Sequence, residues 1–176
     1  SGDEPDLIAG VGTATLEMLE EDPGLDTIVV PVGGGSGAAG ACVVAKAIRP
    51  EVAVIGVQSA AAPAAQRSWQ ERRLVTDRMQ TFAEGLATRV AFAVPQAIMR
   101  RHLDDFVLVS DDDLRAATVR MIAATGNLIE PAGAAALAGA LALRDRLAGT
   151  RIALVASGGN ISLPQLRDLL ERTDAG

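Results

Sequence analysis

The sequence predicts an α/β fold: an open, doubly wound parallel sheet with helices on both faces. Three stretches carry that prediction. From Thr27 to Gln58 the chain reads as strand, glycine loop, helix, strand. Phe106 to Val109 gives another strand, with Ser110 opening a helix behind it. Arg151 to Ala156 is a further strand, again followed by a glycine-bearing loop and a helix. A strand that returns through a helix must lie parallel to its neighbour, because a hairpin would leave no room for the helix, and such crossovers are right-handed.

Each element has a local cause. Thr27 to Val32 is β-branched and bounded by Pro31 and glycines, Gly37 to Ile48 is helix-length, Pro50 stops it, and Val52 to Val57 is a second buried strand. Ser110 caps the next helix, with Asp111, Asp112 and Asp113 in its first turn as charges suited to the helix dipole. Leu114, Met121 and Ile122 then recur at helical spacing. Ala132 to Leu147 reads as one helix of small residues, and Leu163 to Leu170 as the last helix. The opening 25 residues hold an acidic start and one helix, Thr13 to Glu21, closed by Pro23 and Gly24. Residues 60–96, with a polar helix-like stretch at Gln66 to Arg73 and then Phe82-Ala-Glu-Gly85, read as an excursion at one edge of the sheet. No repeat or linker interrupts the chain, so residues 1–176 are expected to form a single α/β domain. Only Thr173 to Gly176 follow the last helix, and no appended regulatory domain is expected there.

Composition narrows the partner. A net charge of −6 without a basic cluster argues against nucleic acid or an anionic membrane surface, because both are polyanions. No apolar run approaches the ~20 residues of a membrane span, and no secretory leader pattern opens the chain. The single cysteine, Cys42, allows no intrachain disulfide and reads as a small buried filler. A cytoplasmic protein with a small-molecule partner is the expectation. His102 reads as a surface residue, and no metal site is expected.

The chemistry concentrates in Val30-Pro-Val-Gly-Gly-Gly-Ser-Gly-Ala38. A glycine loop between a buried strand and a helix presents backbone N–H groups at the positive helix end, where missing Cβ atoms let an anion approach. A nucleotide P-loop would need Gly-Lys-Ser/Thr, but Ala38-Ala39 follows. A dinucleotide fingerprint is formally met by Gly33, Gly35 and Ala38, yet the next strand ends at Gln58 where an acidic residue would hold the ribose. A single cofactor phosphate is the third reading, and a tight turn without ligand the fourth.

Three motifs in order favour the third. The glycine loop with Ala39-Gly40, Ile129-Glu-Pro-Ala-Gly-Ala-Ala-Ala136, and Ala156-Ser-Gly-Gly-Asn160 resemble the C-terminal half of pyridoxal-phosphate-dependent threonine/serine dehydratases, the fold type II, tryptophan-synthase-β-like family. Ile55 to Ser59, Phe82 to Gly85 and Asp104 to Asp113 fall where that family has similar segments. The resemblance implies that Gly33, Gly34, Gly35, Ser36 and Gly37 hold the phosphate of pyridoxal 5'-phosphate and that Ser157 meets its pyridine nitrogen. Ser36 departs from the family's glycine run but adds a hydroxyl. Glu130 lies near the cofactor ring without an assigned role, and reads equally as a charge before Pro131 at a helix start. Gln58 and Ala64 stand where some relatives place two metal-binding carboxylates, so that site is expected to be missing. Val11, in Gly10-Val-Gly-Thr13, stands where relatives often have glutamine.

The implied function is deamination of threonine or serine to a 2-oxo acid and ammonia by β-elimination, in a homo-oligomer. The family's Schiff-base lysine lies in an N-terminal half, upstream of what is Ser1 here, supplied by the same polypeptide or by a complementing chain. The chain's single lysine, Lys46, lies ten residues into a helix that starts at the phosphate, about 15 Å away at ~1.5 Å per residue, so it does not replace it. An amino-acid racemase on the same scaffold, or a non-catalytic module for a phosphorylated ligand, are the alternatives.

Overall fold

The computed structural model describes residues 2–173. Its four strands are β1 (Thr27–Pro31), β2 (Ala53–Ser59), β3 (Asp105–Val109) and β4 (Ile152–Leu154). They form a parallel sheet in the order β3-β2-β1-β4. Val29 at the centre of β1 is in register with Ile55 on one side and Leu154 on the other. The helices are α1 (Pro5–Glu21), α2 (Ser36–Ile48), α3 (Ala64–Gln70), α4 (Ala93–His102), α5 (Asp111–Thr125), α6 (Ala135–Ala142), α7 (Arg144–Leu147) and α8 (Leu163–Thr173). The tail beyond Thr173 lies outside the described residues.

Alternation along the central strands splits the core into two layers, as a sheet covered on both faces requires. Ile28, Val30, Val32, Val54 and Phe106 pack against α1 to α4, while Val29, Ile55, Val57 and Val109 pack against α5 to α7. The expected doubly wound architecture is therefore present.

Three local expectations are corrected. Helix α1 starts at Pro5 rather than Thr13, because Gly10 and Gly12 do not break it. A Cβ at Gly40 would stand 2.7 Å from the carbonyl oxygen of Ile8 and 2.9 Å from the nitrogen of Gly12, so these glycines are where α1 and α2 cross closely. The run from Ala132 to Leu147 is not one helix: residues 131–134 are a turn, and α6 and α7 are separated at Leu143. Residues 60–96 are more than a plain excursion at one edge of the sheet. They supply α3, pass over the carboxyl ends of the strands, and enter α4, which packs on α2. Trp69 anchors this passage, its indole N–H donating to the Met99 carbonyl at 3.1 Å and its ring tilted against Phe106.

Candidate functional site

Parallel strands place every strand-to-helix loop at one edge. The connections β1 to β2 to β3 advance in one direction and β4 returns to the other side of β1, so the strand order reverses between β1 and β4. Ligands of open α/β sheets bind in the crevice at such a reversal. The loop after β1 is the glycine loop, and the loop after β4 is Ser157-Gly158-Gly159.

Backbone contacts link the quoted motifs in series. A methyl group on Gly33 would overlap the carbonyl oxygen of Gly85, and one on Gly85 would stand 2.7 Å from the Cβ of Ala132. A methyl on Gly133 would lie 2.5 Å from the Gly158 carbonyl oxygen, and one on Gly158 would overlap the Glu130 carboxylate. The Glu130 N–H donates to the Gly158 carbonyl at 3.1 Å. Four segments far apart in sequence thus meet at one edge, each fitting because a side chain is missing.

The glycine loop carries the donors. Gly35 has φ +104, in the left-handed region, and turns the chain into α2. Among the described residues, the N–H groups of Gly33, Gly34, Gly35, Ser36, Gly37 and Ala38 have no acceptor; the first bond of the helix is Ala39 N–H to Gly35 O at 2.9 Å. Those at the helix start are the orphan donors every helix leaves, here coinciding with the positive end of its dipole. Gly37 differs from its neighbours. The nearest atom to a methyl there would be Val30 Cγ1 at 4.0 Å, the residue is exposed, and its φ is not positive. Nothing in the protein requires a glycine at that position of a helix, and the open space beside its N–H leaves room for an anion. The donor set and the open approach fit a phosphate group. The Ser36 and Ser157 hydroxyls have no hydrogen-bond partner among the described residues, and Ser157 is exposed at the same edge.

The other candidate residues sort clearly. Lys46 lies at the opposite, amino edge of the sheet, donating to Val52 O at 2.8 Å, Pro50 O at 3.2 Å and Asp104 Oδ2 at 2.7 Å. Cys42 is fully buried, and burial first, then the Asp104 carboxylate, pushes its thiol up to about 12. His102 is half-buried at the end of α4 rather than fully on the surface. Glu130 precedes a turn, not a helix start, since α6 begins at Ala135. Gln58 is fully buried, with its carbonyl accepting from Gln66 N–H at 3.0 Å and its amide donating to Thr88 Oγ1 at 3.4 Å. Among the described residues no group of acidic, histidine or cysteine side chains could hold a metal ion.

Asp112 and Asp113 behave as first-turn residues, Asp113 closing a capping box with Ser110. Asp111 does not. Its carboxylate accepts from Ser59 Oγ at 2.8 Å, Thr81 Oγ1 at 2.7 Å and Phe82 N–H at 3.2 Å. Residue patterns alone missed this, and missed Thr88, whose hydroxyl donates to the Gly33 carbonyl at 3.2 Å. Gly85 had a signal, as the last residue of Phe82-Ala-Glu-Gly85; Thr88 had none.

The site and sheet together define a class, a parallel α/β protein with a row of free backbone N–H groups at its switch point. More narrowly, the chain belongs to the family of pyridoxal-phosphate-dependent enzymes, whose family model matches residues 1–158. It is 36% identical over 99% of its length to a biosynthetic L-threonine dehydratase of Burkholderia multivorans, of which it covers 35%. It is also 36% identical over 97% of its length to an L-threonine ammonia-lyase of Geobacter sulfurreducens, of which it covers 42%. The chain therefore spans less than half the length of these curated relatives. Among solved structures it matches threonine deaminase isoform 2 of Solanum lycopersicum with a TM-score of 0.91 and 31% identity, covering 96% of this chain and 50% of that one. Serine racemase of Dictyostelium discoideum matches with a TM-score of 0.86 and 31% identity, over 92% and 52% of the two chains. No helix among the described residues is long and apolar enough to cross a membrane.

Proposed function

We propose that this chain is the cofactor-binding half of a pyridoxal-phosphate lyase that deaminates threonine or serine to a 2-oxo acid and ammonia. The observation that carries the reading is the row of unpaired N–H groups from Gly33 to Ala38 at the start of α2. These donors hold the phosphate, Gly37 leaving room for its oxygens, with the Ser36 hydroxyl as a further donor. Ser157, at the end of the neighbouring strand, presents its hydroxyl to the pyridine nitrogen. A neutral hydroxyl, unlike a carboxylate, does not hold a proton on that nitrogen. When bound, pyridoxal phosphate supplies the electron sink for chemistry at the substrate α-carbon. The lysine that receives the cofactor belongs to a part of the protein outside this chain, because Lys46 is engaged at the far edge of the sheet. The complete protein works in the cytoplasm as a homo-oligomer on an amino-acid substrate.

The names of the curated relatives support the lyase over the racemase, and the buried, hydrogen-bonded Gln58 amide offers no carboxylate for a divalent cation. The test is incubation of the complete natural protein, loaded with pyridoxal phosphate, with L-threonine and L-serine. The expected result is stoichiometric 2-oxo acid and ammonia. Conversion to the D-enantiomer without ammonia would make the protein a racemase, and no turnover of either kind would leave a binding module.

A further inference from the structure

A glycine loop has no side chains with which to fix its own peptide planes, so a row of N–H groups aims at one point only if something outside holds it. The segment from Thr81 to Thr88 lies across the loop, and it is fastened at both ends from consecutive residues of β2. At its front, Asp111 Oδ1 accepts from Ser59 Oγ at 2.8 Å and from Thr81 Oγ1 at 2.7 Å, and Asp111 Oδ2 accepts from Phe82 N–H at 3.2 Å. The Arg115 guanidinium, one turn further along α5, stacks 4.2 Å above the Phe82 ring. At its back, the fully buried Gln58 donates to Thr88 Oγ1 at 3.4 Å, and Thr88 donates to the Gly33 carbonyl at 3.2 Å. Between the two fastenings, Ala83 and Leu86 are buried in the core and the Gly85 carbonyl packs on Gly33.

The Gly33 carbonyl and the Gly34 N–H belong to one rigid peptide unit and point in opposite directions. A hydroxyl that holds the carbonyl therefore aims the N–H. We propose that residues 81–88 form a strap that sets the orientation of the phosphate loop, and that Thr88 and Asp111 are its positioning residues. The proposal rests on the reading of residues 33–37 as the phosphate cradle. It assigns a task to Asp111 beyond its place in the first turn of α5, and makes the strap part of the cofactor site through its hold on the loop.

The experiment compares two probes, pyridoxal phosphate and pyridoxal, which lacks the phosphate, by equilibrium titration of the complete natural protein and its variants. Thr88→Val keeps the shape and removes the hydroxyl. It is expected to weaken pyridoxal phosphate by about five- to tenfold, the loss of one hydrogen bond, with pyridoxal changed by less than about twofold. Thr88→Ser restores the hydroxyl and should return the affinity to near the parent value. Asp111→Asn removes the charge and leaves one carbonyl oxygen where the carboxylate offered two to Ser59, Thr81 and Phe82, and should show the same selective loss, with the melting temperature of each cofactor-free variant confirming that it is folded. Equal weakening of both probes, no weakening by Thr88→Val and Asp111→Asn, or failure of Thr88→Ser to rescue would overturn the strap while leaving the cradle standing. A parent protein that binds pyridoxal as tightly as pyridoxal phosphate would overturn the cradle itself, and the strap with it.

Discussion

Gly37→Ala separates what the protein needs from what the ligand needs. The added methyl meets nothing closer than Val30 Cγ1 at 4.0 Å, and the position does not lie in the left-handed region, so the folded state bears no steric or backbone cost. Replacing glycine near the start of α2 lowers the entropy of the unfolded chain and favours the helix, a gain of about 0.5–1 kcal/mol. For a domain of this size that raises the melting temperature of the cofactor-free protein by roughly 1–4 °C. The same methyl stands beside an N–H that has no acceptor among the described residues, where a phosphate oxygen would sit. Loss of one charge-assisted hydrogen bond, about 1.5–3 kcal/mol, weakens pyridoxal phosphate by roughly 10- to 150-fold. Stability and affinity should therefore move in opposite directions, measured by calorimetry of the cofactor-free protein and by titration with the cofactor. Gly34 and Gly35 cannot make this separation, since a methyl at the first overlaps the Phe92 ring and one at the second stands 2.8 Å from Met99 Cε at φ +104. A more stable Gly37→Ala protein with unchanged cofactor affinity would refute the phosphate reading of the loop.

Other outcomes follow from the same geometry. Ser157→Ala should weaken pyridoxal phosphate and pyridoxal alike, by about three- to tenfold, because it removes a ring contact and not a phosphate contact; titration with both probes distinguishes it from the loop variants. Lys46→Ala should lower stability by about 1 kcal/mol in urea unfolding, since it removes the donor to the Val52 carbonyl and leaves Asp104 only the Val54 N–H, yet leave cofactor affinity unchanged because Lys46 is at the far edge. Cys42 should resist thiol reagents at pH 8 in the native protein and react on unfolding. Its folded-state pKa lies above the unfolded value of 9.0, at about 12. Its contribution to stability is accordingly complete below pH 9 and is lost as the pH rises from 9 towards 12, which urea unfolding across that range would follow.

The sequence by itself determined the order and type of most elements, because β-branched runs, helix-length alternation and the Ser110 capping box are local signals that tertiary contacts reinforce. It also drew attention to the glycine loop, by its place between a buried strand and a helix, whereas Ser157 stood out only through the resemblance of its motif to a known family. It read poorly where a glycine served packing and not turning. Gly12 lies ahead of the expected helix start at Thr13 and Gly40 inside the loop motif, and only the α1–α2 crossing explains why both are glycines. Alanine-rich spacing could not show that the run after Ala132 would first turn so that Gly133 meets Gly158. The convergence of Gly33, Gly85, Glu130 and Gly158 was decided by the parallel sheet, which brings every strand end to one edge whatever the separation in sequence. The strap is wholly a tertiary fact. Asp111 and Thr88 are ordinary residues for a helix start and a loop, and their partners Ser59, Thr81 and Gly33 lie tens of residues away, so hydrogen bonds that fix the loop carry no local pattern to read.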